Sequence, residues 1–87
     1  MYYVYVLQNT ISFDLYIGYT SDLKRRVIEH NRKNKSSFTT NQNGNWLLVY
    51  YESYKSQIDA QHRELRLKNH GSGKKELYKR LENSLLA

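Results

Sequence analysis

YYVYVLQNTISFDLYIGYT, residues 2–20, is the stretch from which the fold can be read. Met1–Gln8 and Leu15–Tyr19 are rich in aromatic and β-branched residues, and the polar NTISFD between them reads as a hairpin connection. Strand alternation sorts the side chains: Val4, Val6, Leu15 and Ile17 form an aliphatic face, whereas Tyr3, Tyr5, Tyr16 and Gly18 fall on the other. One face is core and the other sets phenols above a glycine. A glycine inside a strand marks a bulge, a strand end, or a place where something approaches the backbone closely. On the last reading Gly18 becomes a nucleic-acid contact.

Downstream, Thr20 or Ser21 is the expected cap of a helix, with Asp22 in its first turn and Leu23, Val27 and His30 recurring at helical spacing to about Lys33. Arg26 and His30 share a ridge that flanks the Leu23–Val27 stripe, where an arginine is hard to bury idly. KNKSSFTTNQNGN, residues 33–45, reads either as a loop that grips a nucleic-acid backbone, with Lys33 and Lys35 as its cations, or as a disordered connection. WLLVYYESY, residues 46–54, is apolar on both alternations, which suits a strand buried on two faces.

A second helix is expected over Gln57–Asn69, with Glu64 on a mainly apolar side beside Ala60 and Leu67 and among Arg63, Arg66 and Lys68. Gly71 in HGSG suits a left-handed cap. A third helix, Lys74–Leu85, would turn Leu77, Tyr78, Leu81 and Leu85 inward and Lys74, Lys75, Lys79 and Arg80 outward. The expected class is α/β in the broad sense, α+β: one domain over 1–87, a three-stranded antiparallel sheet flanked by about three helices.

Composition narrows the function. A chain of 87 residues buries only about 60% of the surface its unfolded form exposes, so a modest core is expected. Fourteen Lys and Arg against eight Asp and Glu leave +6, which fits a polyanionic partner, nucleic acid by default, or a merely solvated basic surface. Cysteine is absent, which excludes disulfides, thiolate zinc sites and cysteine nucleophiles. With no apolar run long enough for a membrane span and no export signal, the expected location is cytoplasmic.

Phosphodiester hydrolysis needs a cation for the charge that develops on the phosphate, a proton acceptor for the attacking water, and an acid or metal at the leaving oxygen. Arg26, Tyr5 with Tyr16 or His30, and Glu64 suit those roles. Each also has a plainer reading: the tyrosines as a covering layer on the sheet, His30 as a packing residue, and Glu64 as half of an i,i+4 pair with Lys68.

Taken together, YVY at 3–5, YIG at 16–18 with ten residues between Tyr5 and Tyr16, DLKRRVIEH at 22–30 and RELRLK at 63–68 resemble the GIY-YIG nuclease superfamily. The similarity runs over nearly the whole chain and is strongest to the small stand-alone members related to the catalytic domain of the excision-repair nuclease. Tyr3-Val4-Tyr5 replaces Gly-Ile-Tyr, with the key Tyr5 kept. The resemblance implies a metal-dependent DNA endonuclease acting in repair or recombination. In it Tyr5 is the general base, Tyr16 supports water and phosphate, Arg26 stabilises the phosphoryl charge, His30 assists, and Glu64 holds one divalent cation, Mg2+ or Mn2+. Tyr19 stands where the repair nuclease has a lysine, a contact that is then either lost or supplied by Lys24 or Arg25, and Arg63 and Lys68 would touch nucleic acid beside Glu64.

Two competing readings remain. One is a non-catalytic binding module that grips nucleic acid, DNA before RNA, through Lys33, Lys35, Lys74, Lys75, Lys79 and Arg80. The other is a protein-interaction module with a tyrosine hot spot. A nuclease of this size is expected to have low intrinsic specificity or a separate targeting protein, and to need a homodimer or two visits for a double-strand break.

Overall fold

The computed structural model describes residues 1–36, 44–69 and 72–86, and for 33–36 and 72 it describes the backbone alone. The elements run β1 (Tyr2–Asn9), β2 (Leu15–Thr20), α1 (Leu23–Ser36), β3 (Trp46–Tyr54), α2 (Gln57–Lys68) and α3 (Ser72–Arg80). The strands form one antiparallel sheet in the order β2-β1-β3. The expected α+β class, a three-stranded sheet with three helices, is the observed one.

The hairpin pairs Val6 with Ile17, Tyr5 with Gly18 and Leu7 with Tyr16. Residues directly opposite in antiparallel strands share a face, so this register alone separates the aliphatic set from the phenols. The turn between them is held by Asn9, whose Oδ1 accepts from the Ile11 and Ser12 amides at 2.9 and 3.0 Å. Phe13 takes a φ of 65° to close it.

On the aliphatic face, Val4, Val6 and Ile17 pack against Ala60 and Leu67 of α2, Leu77 of α3 and Leu81. Ser56 caps α2, its side chain accepting from the Asp59 amide. The buried Gln8 amide bonds the backbone of Phe13 and both backbone groups of Leu86, which ties the last described turn to the central strand. The opposite face carries Tyr3, Tyr5, Leu7, Tyr16 and Gly18, and α1 lies across it from the β3 side.

Four expectations are corrected. β3 is an edge strand, with Leu47, Leu48 and Tyr51 39–52% exposed, and the strand buried on both faces is β1. An apolar pattern on both alternations cannot separate the two cases, because it does not say whether a second layer arrives. The cap of α1 is Asp22, not Thr20 or Ser21: its Oδ1 accepts from the Arg25 amide at 3.1 Å, and Thr20 Oγ1 accepts from the Asp22 amide at 3.1 Å. The third helix begins at Ser72 and ends at Arg80, with Leu81 to Ser84 in turns. Tyr78 is 44% exposed and faces outward, the inward side being filled by Leu77 and Leu81. The expected Gly71 cap and the 37–43 loop lie outside the described residues.

Candidate active site

Tyr5 sits in the middle of the central strand, fully buried, opposite Gly18. A Cβ at position 18 would stand 2.6 Å from the Tyr5 Oη, 2.8 Å from its Cζ and 3.1 Å from Tyr16 Cε1. The close approach anticipated at Gly18 therefore comes from within the protein: the glycine clears the space in which the phenol lies. Gly18 is buried.

Two side chains of α1 converge on that phenol oxygen. Arg26 donates from Nε at 3.3 Å, and His30 Nε2 lies 3.0 Å away. Residues four apart on a helix share a ridge, so the two reach the same point from successive turns. A phenol accepting from Arg26 has its own proton left to donate, and in the tautomer that leaves His30 Nε2 unprotonated that nitrogen can accept it. Tyr16 stacks beside Tyr5 with ring centroids 6.2 Å apart and meets the His30 ring at 4.4 Å, edge on, while Trp46 abuts Tyr16 at 6.4 Å.

Burial raises the Tyr5 phenol above its ordinary pKa; the Arg26 hydrogen bond works the other way without outweighing it, and the nearby Tyr16 and Glu64 add to the rise. Tyr5 is thus a neutral phenol at physiological pH. Arg26 is held firmly in its charged form, chiefly by the bond to Tyr5.

The guanidinium of Arg26 also reaches Glu29 Oε1 from Nη1 at 3.3 Å, and Glu29 Oε2 lies 3.4 Å from Arg25 Nε. Tyr16, Arg26, Glu29 and His30 line a cleft of about 260 Å³. Glu29 was not singled out from the sequence, although its i+3 and i+4 spacing from Arg26 and Arg25 was the available signal.

Glu64 projects from α2 with its side chain 15% exposed and its Oε2 3.3 Å from Lys68 Nζ, so the plain i,i+4 pairing does form. Its charge is felt at Tyr5. No group of three or more His, Cys, Asp or Glu able to hold a metal occurs among the described residues. A lone carboxylate suits a hard cation that keeps most of its water, such as magnesium, and the half-exposed Lys68 can swing away at little cost because surface pairs are worth about 0–1 kcal/mol.

The remaining expected contacts scatter. Lys24 and Arg25 are exposed on the first turn of α1. Arg63 turns toward β3, where it grips Glu52 through Nε and Nη2 at 2.9 and 3.1 Å. Tyr50 and Tyr54 also donate to Glu52, and Arg80 reaches the Tyr50 hydroxyl at 3.2 Å. Burial opposes ionisation of Glu52, but the bonds from Arg63, Tyr50 and Tyr54 prevail and bring its carboxyl down to about 2. Tyr19 lies on the core face, where its hydroxyl accepts from Gln61 Nε2 at 2.7 Å, away from Tyr5. The side chains of Lys33 and Lys35 lie outside the described residues.

The family described as GIY-YIG catalytic domain matches residues 1–79. A UPF0213 protein of Halobacterium salinarum is 36% identical over 76 residues, covering 87% of this chain and 96% of that protein. One of Pediococcus acidilactici is 37% identical over 84 residues, covering 95% and 83%. The solution NMR structure of a UPF0213 protein from Bacillus halodurans superposes with a TM-score of 0.55 at 31% identity, covering 94% of this chain and 86% of that one.

Proposed function

Because the chain belongs to the GIY-YIG catalytic domain family, we propose that the cleft beside Tyr5, lined by Tyr16, Arg26, Glu29 and His30, hydrolyses phosphodiester bonds, with DNA as substrate before RNA. The observation that carries this reading is the bracketing of one phenol oxygen by Arg26 Nε and His30 Nε2. A neutral phenol is a poor base by itself. Hydrogen-bonded to a histidine acceptor, it becomes a relay: a water attacking phosphorus passes its proton to the Tyr5 oxygen as Tyr5 passes its own to His30 Nε2. The new bond is water oxygen to phosphorus, the ester P–O bond breaks, and the departing alkoxide takes a proton from solvent.

Arg26 can bear the growing phosphoryl charge through Nη2, which has no partner among the described residues, while Nε keeps Tyr5 oriented. Tyr16, stacked on Tyr5 and exposed by 37%, borders the position the phosphate would take. A magnesium or manganese ion held by Glu64 would supply Lewis acidity at the leaving oxygen. A repair or recombination role in the cytoplasm, with targeting by a separate protein, fits a small basic nuclease.

The test incubates the purified protein with labelled single-stranded, duplex, nicked and branched DNAs and one RNA, with magnesium or manganese, beside Glu64→Ala. Metal-dependent cleavage lost in the variant supports the reading. Salt-sensitive binding with no cleavage of any substrate would leave the non-catalytic module.

A further inference from the structure

Across α1 from the catalytic cleft lies a second, larger groove of about 650 Å³, within the size range of ligand clefts. Tyr3 of β1, Leu48 and Tyr51 of β3, and Leu23, Val27 and Ile28 of α1 form its apolar walls. It is not closed over: Ile28, Leu48 and Tyr51 are 47%, 39% and 52% exposed. Tyr51 meets Tyr3 edge-on, ring centroids 6.0 Å apart at 68°, and lines the groove while remaining half exposed. The β3 edge position is what leaves this surface open.

Charge indicates what enters it. Lys24 stands on the rim, and Lys24, Arg25 and Arg32 share the adjoining depression on the crest of α1. The carboxylates nearby are occupied, Asp22 in capping α1 and Glu29 with Arg25 and Arg26. A second copy of a chain carrying +6 is disfavoured by the same cations. Aromatic rings bordered by cations are how proteins hold unpaired nucleotides, with the base stacked and its phosphate paired.

We propose that this groove binds an unstacked base of the nucleic-acid strand whose backbone crosses α1 to the Tyr5 cleft, with Tyr51 as the stacking surface and Lys24 on the flanking phosphate. The proposal rests on nucleic acid being the substrate, and it adds a requirement: a stretch of unpaired strand beside the scissile bond. It does not require that the chain be catalytically active, so the two claims can fail separately.

The experiment measures anisotropy of a labelled oligothymidylate and of an abasic strand of equal length and charge, in chelator and at fixed salt, so that binding is read without cleavage. Tyr51→Ala should weaken the oligothymidylate about tenfold and leave the abasic strand unchanged. Tyr51→Trp should restore the difference, and Lys24→Ala should weaken both strands alike. Because Tyr51 is half exposed, these variants should keep the wild-type circular dichroism. Equal affinity of wild type for the two strands overturns the proposal, as does a Tyr51→Ala loss common to both. A concentration-dependent dimer that Tyr51→Ala dissolves also overturns it, since the groove would then be filled by a second copy. Base-dependent binding by a protein that cleaves nothing supports the groove while refuting the nuclease.

Discussion

The phenol oxygen of Tyr5 occupies the volume that a side chain on Gly18 would fill, 2.6 Å from the nearest possible Cβ. The two residues are cross-strand partners, so the glycine of YIG and the tyrosine of YVY form one device: the first makes the cavity in which the second meets Arg26 and His30. Gly18→Ala should therefore cost about 1–3 kcal/mol of stability by overpacking and should also abolish cleavage, because the ring must leave the position in which its oxygen meets Arg26 and His30. Urea denaturation and a cleavage assay on the same preparation check both. An alanine variant as active as wild type would mean that the ring position is not critical.

Tyr5→Phe keeps the ring and removes the oxygen. It should cut cleavage by about 10²-fold or more while retaining binding, and cost about 1 kcal/mol because Arg26 Nε and His30 lose a buried partner. His30→Gln separates acceptance of a hydrogen bond from acceptance of a proton. If His30 receives the relayed proton, the glutamine variant should fold normally and still lose about 10²-fold in kcat with little change in KM. Retained kcat in His30→Gln would reduce His30 to a packing role.

Arg26→Lys tests whether one guanidinium serves three directions. A lysine has a single nitrogen and cannot at once bond Tyr5, pair with Glu29 and face a phosphate. The expected result is a loss of about 10²-fold in kcat/KM despite the conserved charge. Near-normal activity would show that charge alone suffices.

The faces of the hairpin were legible in residues 2–20, because strand alternation and a single turn fix the Tyr5–Gly18 register. So were the ridge carrying Arg26 and His30 and the inward placement of Leu77 and Leu81. The exposure of β3 was not, since Leu47, Leu48 and Tyr51 are apolar whether or not a layer covers them. Arg63 shows the other limit: its cationic character is local, but its commitment to Glu52 is a tertiary pairing between α2 and β3 that no periodicity within either element displays. Tyr78 failed for a related reason, as three leucines already fill the side of α3 and its following turn that meets the sheet.

Glu52 gives a pH prediction. Its folded carboxyl lies at about 2, below its ordinary value of 4.5. The stability it contributes is thus fully present above pH 4.5 and is lost as pH falls toward about 2. The contribution is up to about 3 kcal/mol, less whatever solvent screens. Thermal melts of wild type should fall across that window, and Glu52→Gln should show a lower, flatter acid limb. Parallel curves for the two proteins would remove Glu52 as the cause.

The most direct test of the central claim compares wild type and Tyr5→Phe on one labelled DNA substrate in magnesium, following binding and strand scission in the same tubes. The expected result is scission by wild type and a loss of about 10²-fold or more in the variant, at equal occupancy of substrate. Scission at the wild-type rate by Tyr5→Phe would contradict it, because the oxygen shared by Arg26 and His30 would then take no part in the reaction.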